Sequence, residues 1–163
     1  MNGQAVSNTG PLLALSVVAR LDILRHLFQQ VCVPESVHRE ILAGGANNAG
    51  LATYLQADWI SVEAVAGQID PLLAGVLHQG EAAVIHLALQ RPQSTVVIDE
   101  RKARKIAREL YGLRVIGTAG LLVEAKRRGL VASVGDVLNE MRGSGYWIHE
   151  DIVRYAVRSA GEA

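Results

Sequence analysis

Short apolar runs rich in β-branched residues alternate along the chain with longer segments whose apolar residues recur every three or four positions. The short runs predict β-strands, and the longer segments predict amphipathic helices. We predict strands over Gln4–Ser7, Val31–Val33, Ile60–Val62, Thr95–Ile98 and Arg114–Ile116. We predict helices over about 11–17, 20–28, 34–43, 48–56, 70–78, 81–90, 100–110, 118–128, 134–142 and 150–160. This alternation predicts an α/β fold with a mostly parallel central sheet, of about five strands, flanked by helices.

Proline and glycine support several of these boundaries. Pro34 suits the first turn of a helix, because its fixed φ fits there and its missing N–H is not needed. Gly112, Gly129 and Gly143 each follow a helical pattern, a position where a left-handed cap is common. The glycine-rich stretch at 44–50 predicts a flexible loop.

The composition is that of a globular protein with an aliphatic core. The chain has 163 residues, and half of them are hydrophobic, so we expect a single domain over residues 1–163. The 16 basic residues balance the 16 acidic ones, so any contact with nucleic acid must come from a local basic patch. The single Cys32 excludes an intramolecular disulfide, and we expect it to be buried because it lies in an apolar run.

The N-terminal residues contain neither a basic region nor an apolar signal segment. No apolar stretch approaches the ~20 residues that a membrane-spanning helix needs. We therefore expect a cytoplasmic protein without a membrane partner.

Polar residues directly follow three of the predicted strands. Asn8 and Thr9 follow the first strand, Asp99 and Glu100 follow the fourth, and Thr118 lies just beyond the fifth. In open parallel sheets, ligands bind beyond the carboxyl ends of the strands, near the point where strand order reverses. We therefore expect a functional site there. The alternative interpretation is that each of these residues only caps the following helix.

Two glutamates are placed to face inward. Glu40 lies three positions beyond Val37, at the edge of the apolar stripe of its predicted helix. Glu81 lies three and four positions before Val84 and Ile85, at the head of another apolar stripe. The alternative for Glu81 is an acid that is stabilised by the helix N-terminus.

A divalent cation would explain several carboxylates that point toward one place. Clustered carboxylates repel one another, and a bound Mg²⁺ or Mn²⁺ offsets that repulsion. Mg²⁺ prefers oxygen ligands and keeps several of its waters, so that a few carboxylates suffice. Such an ion activates water and stabilises negative charge on a phosphate.

Five segments of the chain, in this order and spacing, resemble the PIN-domain family, and above all its small prokaryotic members related to VapC-type toxins. The segments are VSNTGPLLAL at 6–15, PESVHREIL at 34–42, GEAAVIHLA at 80–88, VVIDERKAR at 96–104 and VIGTAGLL at 115–122. The resemblance implies a three-layer α/β fold and Mg²⁺- or Mn²⁺-dependent cleavage of single-stranded RNA.

The resemblance also implies roles for individual residues. The catalytic acids would be Glu40, Glu81 and Asp99, and the metal ligands Asn8, Glu81 and Asp99, with Thr9, Thr118 and Glu100 in supporting positions. The first acidic position departs from the family pattern, because this chain has Asn8 where the family usually has Asp. An amide oxygen still binds a metal, but one negative charge is lost. Glu100 is an alternative source of a carboxylate near Asp99.

The predicted helix after Asp99 is rich in basic residues. Its apolar stripe comprises Ala103, Ile106, Ala107 and Leu110. This pattern predicts that Arg101, Arg104 and Arg108 share a solvent face, where they would guide a phosphate backbone. The alternative is an ordinary solvated helix face. Tyr146 and Trp147 either stack on bases or pack into a core or an interface.

Two functions remain open at this point. The first is a metal-dependent endoribonuclease that acts on single-stranded RNA as the toxin of a toxin–antitoxin pair. The resemblance to toxins further suggests a homodimer and a small antitoxin protein as partner. The second is a catalytically impaired PIN-like module that binds nucleic acid or another partner, since Asn8 replaces the first acid. A phosphatase or nucleotide-binding enzyme fits poorly, because the chain has no P-loop and no G-x-G-x-x-G turn after a strand.

Overall fold

A parallel β-sheet forms the centre of the fold in a computed structural model that describes residues 3–44 and 49–162. Within these ranges the sheet has five strands in the order β3-β2-β1-β4-β5, and every neighbouring pair is parallel. The strands are β1 (Gln4–Ser7), β2 (Gln30–Pro34), β3 (Ile60–Glu63), β4 (Thr95–Val97) and β5 (Arg114–Ile116). The predicted α/β class is confirmed.

Ten helices flank the sheet within the described ranges, consistent with three layers. In chain order, α1 to α10 are Thr9–Val17, Asp22–Leu27, Glu35–Ala43, Leu51–Leu55, Pro71–Val76, Gln79–Leu89, Arg101–Glu109, Thr118–Arg127, Val134–Gly143 and Glu150–Ser159. None of the helices in the described residues is long and apolar enough to cross a bilayer.

The order of the strands fixes where a site can form. Strand β1 pairs with β2 on one side and with β4 on the other, so the direction of sheet growth reverses at β1. The β1–β4 register places Ser7 beside Val97. The residues that follow these two strands therefore emerge together at the carboxyl edge of the sheet, where ligands bind in open α/β sheets.

Aliphatic side chains fill the space between the sheet and the helices. Ala5 and Val6 in β1 and Val96 and Val97 in β4 are fully buried, as expected for central strands that are covered on both faces. Cys32 is buried, as predicted, and burial raises the pKa of its thiol. A continuous apolar core thus holds the strand ends in fixed positions.

Several helix boundaries differ from the prediction for local reasons. Helix α1 begins at Thr9 instead of 11, because Asn8 takes the N-cap position. Helix α6 begins at Gln79 instead of 81, because a capping box between His78 and Glu81 starts it earlier. The predicted helix at 48–56 is observed as Leu51–Leu55. Its first residue, and positions 45–48 of the predicted loop, lie outside the described residues.

Candidate active site

Asn8 stands at the carboxyl end of β1, where the chain turns into α1. Its backbone N–H donates a 2.9 Å hydrogen bond to Val97 O, which ties the end of β1 to the end of β4. Asn8 is the N-cap of α1, yet its side chain makes no capping hydrogen bond. The Oδ1 atom is buried and has no hydrogen-bond partner. Leaving a buried acceptor unsatisfied costs free energy, so this oxygen is available to a bound ion or to water.

Glu40, on α3, has its carboxylate near the Asn8 side chain. Thr9 Oγ1 donates a 2.8 Å hydrogen bond to Glu40 Oε2, which orients the carboxylate. The side-chain oxygens of Glu40 and Asn8 both lie close to Gly80. A Cβ on Gly80 would lie 3.0 Å from Glu40 Oε2 and 3.4 Å from Asn8 Oδ1. The small space beside Gly80 is therefore lined by the oxygens of Asn8 and Glu40.

Glu81 follows Gly80 and is almost fully buried, with 8% of its surface exposed. Its Oε2 atom accepts a 3.2 Å hydrogen bond from the backbone N–H of His78 in the capping box. Burial raises the pKa of the Glu81 carboxyl, and the negative charges of Glu100 and Glu40 raise it further, while the hydrogen bond from His78 lowers it. Glu81 thus has a capping role and also lies within electrostatic range of two other acids.

Asp99 follows β4 and does not cap the next helix. Glu100 is the N-cap of α7, and its carboxylate accepts hydrogen bonds from the backbone N–H groups of Lys102 and Ala103. Asp99 turns toward α8 instead, where Thr118 N–H donates to Oδ1 at 2.7 Å and Thr118 Oγ1 donates to Oδ2 at 2.6 Å. Glu100 therefore caps α7, while the Asp99 carboxylate bonds to the first residue of α8.

Tyr146, for which the sequence left base stacking and packing open, contacts Asp99, which the sequence pattern did not predict. It lies between α9 and α10, and its hydroxyl donates a 2.7 Å hydrogen bond to Asp99 Oδ2. Burial raises the pKa of this hydroxyl, and the negative charge of Asp99 raises it further, so Tyr146 stays protonated as a donor. The neighbouring Trp147 is 77% exposed.

Arg104 is less exposed than Arg101 and Arg108, with which the helical pattern predicted a shared solvent face. It is partly buried, and its Nη1 atom donates a 3.0 Å hydrogen bond to Ile98 O. A Cβ on Gly117 would lie 2.6 Å from Arg104 Nη1 and 2.8 Å from Asp99 Oδ1. The guanidinium of Arg104 and the carboxylate of Asp99 therefore both lie close to Gly117. Helical periodicity fails here because it ignores how far a long side chain reaches back.

The rest of α7 presents a basic surface. Arg101, Lys102, Lys105 and Arg108 are exposed, while Ala103 and Ala107 are fully buried. Leu110, predicted to belong to the apolar stripe, is 63% exposed because it caps the helix end instead of facing the core.

A cavity of about 370 Å³ opens beside Glu81. It is lined by Gly75, Val76, Leu77, His78, Glu81, Glu100 and Lys102. Its lining combines apolar side chains with an imidazole, two carboxylates and an ammonium group. The cavity therefore connects the buried Glu81 with the basic surface of α7.

One family model covers almost the whole chain. Residues 4–162 match a family model described as DUF3368, a PIN domain. The chain belongs to the PIN-domain family. No curated protein and no solved structure gives a significant match. The family assignment supports a nuclease-type activity and binding of nucleic acid, and PIN domains generally use divalent metals.

Asn8, at the end of β1, and Glu40, on α3, fit such a metal in donor type. Asn8 offers a buried oxygen without a partner, and Glu40 offers a carboxylate next to it. Within residues 3–44 and 49–162, however, no group of three or more His, Cys, Asp or Glu side chains is arranged to hold a metal ion. The expected three-acid cluster is therefore not assembled in this arrangement. A hydrated Mg²⁺ needs only one or two protein carboxylates, so the donor set suits an ion that keeps most of its waters.

Proposed function

We propose that this PIN domain is an Mg²⁺- or Mn²⁺-dependent endoribonuclease that cleaves single-stranded RNA. One observation supports this proposal above the others: the unpartnered Asn8 Oδ1 lies beside Glu40 at the point where strand order reverses. Asp99 and Thr118 follow the adjacent strands at the same sheet edge. Oxygen ligands in this position suit a hard divalent cation and a phosphate substrate.

Each polar residue has a distinct part in this proposal. Asn8, Glu40 and Asp99 would hold the cation, with Glu81 near enough to add its negative charge. When bound, the cation would activate water and offset the charge that develops on the scissile phosphate. Thr9 orients Glu40 through the 2.8 Å hydrogen bond, and Thr118 orients Asp99.

Glu81 is suited to accept a proton. Its burial raises its pKa, and a more basic carboxylate takes a proton from an attacking water more readily. The cavity next to it is large enough for one nucleotide unit, and Lys102 on the cavity wall supplies a positive charge for a phosphate. Arg101 and Arg108 extend that charge along α7.

The test is cleavage of single-stranded RNA of mixed sequence by purified protein, with Mg²⁺, with Mn²⁺ and with EDTA. We expect cleavage that requires the metal and is lost in Asp99→Asn and in Glu81→Gln. The matched controls are Asp58→Asn and Glu140→Gln, which change the same residue types at exposed positions away from the site. The proposal fails if the protein cleaves no RNA with either metal, or if EDTA leaves cleavage unchanged.

We further infer that the ribonuclease acts in the cytoplasm as the toxin of a toxin–antitoxin pair, as a homodimer and with a small antitoxin as partner. The support is the resemblance of the segments at 6–15, 34–42 and 80–88 to VapC-type toxins. Induced expression in bacteria tests this inference. Growth should stop with the native chain and continue with Asp99→Asn, and sedimentation should give twice the monomer mass.

A second candidate is a catalytically impaired PIN module that binds nucleic acid without cutting it. Two observations favour it: Asn8 carries no charge, and the described residues hold no three-acid cluster. This candidate predicts RNA binding through α7 that Asp99→Asn leaves unchanged. RNA binding without cleavage, with either metal, would support it over the first.

A further inference from the structure

We propose that Tyr146 competes with the divalent cation for Asp99 and thereby sets the metal affinity of the site. This inference rests on the proposed function only in assuming that a divalent cation is the ligand. Tyr146 is a positioning residue here, because it acts through Asp99. Its hydroxyl would have to leave Asp99 Oδ2, or share it, when a cation binds.

The hydrogen bonds of Asp99 show why the two compete. A carboxylate offers about four lone-pair positions. In Asp99 three of them accept hydrogen bonds of 2.6 to 2.7 Å, from Thr118 N–H, Thr118 Oγ1 and the Tyr146 hydroxyl. The remaining position belongs to Oδ1, which lies close to Gly117 and to the guanidinium of Arg104. The positive charge of Arg104, which interacts with Asp99, disfavours a cation at this remaining position. A cation that binds Asp99 therefore competes for a position that already accepts a hydrogen bond.

Of the two residues on Oδ2, Tyr146 lies on the side from which a cation would come. A Cβ on Gly10 would lie 3.1 Å from the Tyr146 hydroxyl oxygen and 3.8 Å from Asp99 Oδ2. Gly10 directly follows Asn8 and Thr9, so the hydroxyl lies beside the first turn of α1, close to the end of β1. Thr118, by contrast, holds Asp99 through both its backbone and its side chain from the start of α8.

The chain around Tyr146 is held without the help of its hydroxyl. Tyr146 N–H donates to Met141 O at 3.0 Å, which fixes the turn after α9. Arg142 donates to Ile148 O from both Nε and Nη2, at 3.2 and 3.1 Å. The ring of Tyr146 packs against the core. Tyr146→Phe should therefore preserve the fold and remove only the hydrogen bond to Asp99.

Calorimetric titration of the metal-free protein with Mn²⁺ tests the proposal. We expect Tyr146→Phe to bind Mn²⁺ about tenfold more tightly than the native chain, since the ion no longer displaces a hydrogen bond to a charged group. The matched control is Tyr111→Phe, which removes a 3.2 Å hydrogen bond from another tyrosine to another aspartate, Asp70. This control should leave the affinity unchanged. In the Asp99→Asn background, Tyr146→Phe should have no effect.

Equal or weaker Mn²⁺ binding by Tyr146→Phe would overturn the proposal, as would the absence of Mn²⁺ binding by both proteins. A gain that persists in Asp99→Asn would also overturn it, because the effect would not pass through Asp99. The nuclease proposal is tested separately by the RNA assay. Tighter Mn²⁺ binding by Tyr146→Phe without any RNA cleavage would support the role of Tyr146 and contradict the ribonuclease. Metal-dependent cleavage without a gain in Mn²⁺ affinity would support the ribonuclease and contradict the role of Tyr146.

Discussion

Thr9 and Glu40 are 31 positions apart in the chain, yet a 2.8 Å hydrogen bond joins Thr9 Oγ1 to Glu40 Oε2. Because Thr9 starts α1 and Glu40 lies on α3, this bond connects two elements that leave different strands. Glu40 is otherwise exposed. The hydroxyl of Thr9 therefore selects one orientation of a carboxylate that would otherwise sample several.

The first prediction concerns this hydroxyl. Thr9→Val keeps the shape of the side chain and removes the donor, so Glu40 should lose its orientation toward Asn8. We expect the rate of RNA cleavage to fall about tenfold, the effect of one lost hydrogen bond to a charged group. Thr9→Ser retains a hydroxyl and should keep most of the activity. Equal rates for both variants would show that the hydrogen bond does not matter for cleavage.

The second prediction is that one site residue lowers the stability of the native chain. Burial raises the pKa of Glu81, which means that its charged form is disfavoured in the folded protein. Glu81→Gln removes the charge, and its amide oxygen can still accept the hydrogen bond from His78 N–H. We expect the free energy of unfolding at pH 7 to increase by about 1 kcal/mol while cleavage is lost.

Urea denaturation of the native chain, Glu81→Gln and the exposed control Glu140→Gln measures this effect. The control should change the free energy of unfolding by less than about 0.5 kcal/mol. A decrease in Glu81→Gln would mean that the capping function of the carboxylate outweighs the cost of its burial.

The third prediction concerns the end of the chain. Partial burial opposes the charge of Glu162, but hydrogen bonds from Lys126 and from the N–H groups of Gly135 and Val134 outweigh it and lower its pKa to about 2. A folded-state pKa below the unfolded value of about 4.3 stabilises the protein above that value. This contribution is lost as the pH falls toward 2.

The free energy of unfolding of the native chain and of Glu162→Gln, compared across pH, tests the direction of this effect. At pH 7 we expect Glu162→Gln to be less stable by about 1 to 2 kcal/mol, less than the full pKa shift implies because Glu162 is partly exposed and solvent screens its charge. The difference should shrink as the pH falls from about 5 to 2, because Glu162 becomes protonated first in the unfolded state and, near pH 2, in the folded state. A difference that stays constant over this range would contradict the assignment.

The fourth prediction concerns the basic surface of α7. Arg101 and Arg108 are exposed, and each should contact a phosphate of the RNA. Arg101→Ala and Arg108→Ala should each weaken RNA binding and reduce the slope of log K against log salt by about 1. Arg154→Ala is the control, since Arg154 is paired with Asp151 on α10. An unchanged slope in both variants would leave the surface as an ordinary solvated face.

The α/β fold could be predicted from the sequence because each strand coincides with a short apolar run, and a polar residue or a glycine soon follows that run. Asn8, Asp99 and Thr118 were found in this way, since parallel strands bring their carboxyl ends to one edge. Tyr146 was named only as a candidate for stacking or packing, and its bond to Asp99 was not predicted, because that bond spans 47 positions and depends on the path of the chain between α9 and α10. Arg104 is less exposed than the helical pattern predicted, because its guanidinium bonds to a backbone carbonyl that no side-chain pattern reports.

The last prediction restores the charge that this chain lacks. Asn8→Asp places a carboxylate where a buried oxygen has no donor, next to Glu40. Without metal the new charge is unpaired, so the free energy of unfolding should fall by about 1 to 3 kcal/mol. With Mn²⁺ the same charge becomes a ligand, and the metal affinity should rise at least tenfold, as it does when a site gains a carboxylate.

Calorimetry with Mn²⁺ and urea denaturation with and without Mn²⁺ measure both effects on one variant. Asn139→Asp, at an exposed position on α9, adds the same charge away from the site and should change neither quantity. Equal Mn²⁺ affinity in the native chain and Asn8→Asp would mean that the cation does not contact position 8. A lower stability that Mn²⁺ restores, together with faster RNA cleavage, would identify Asn8 as the residue that limits the activity of the native chain.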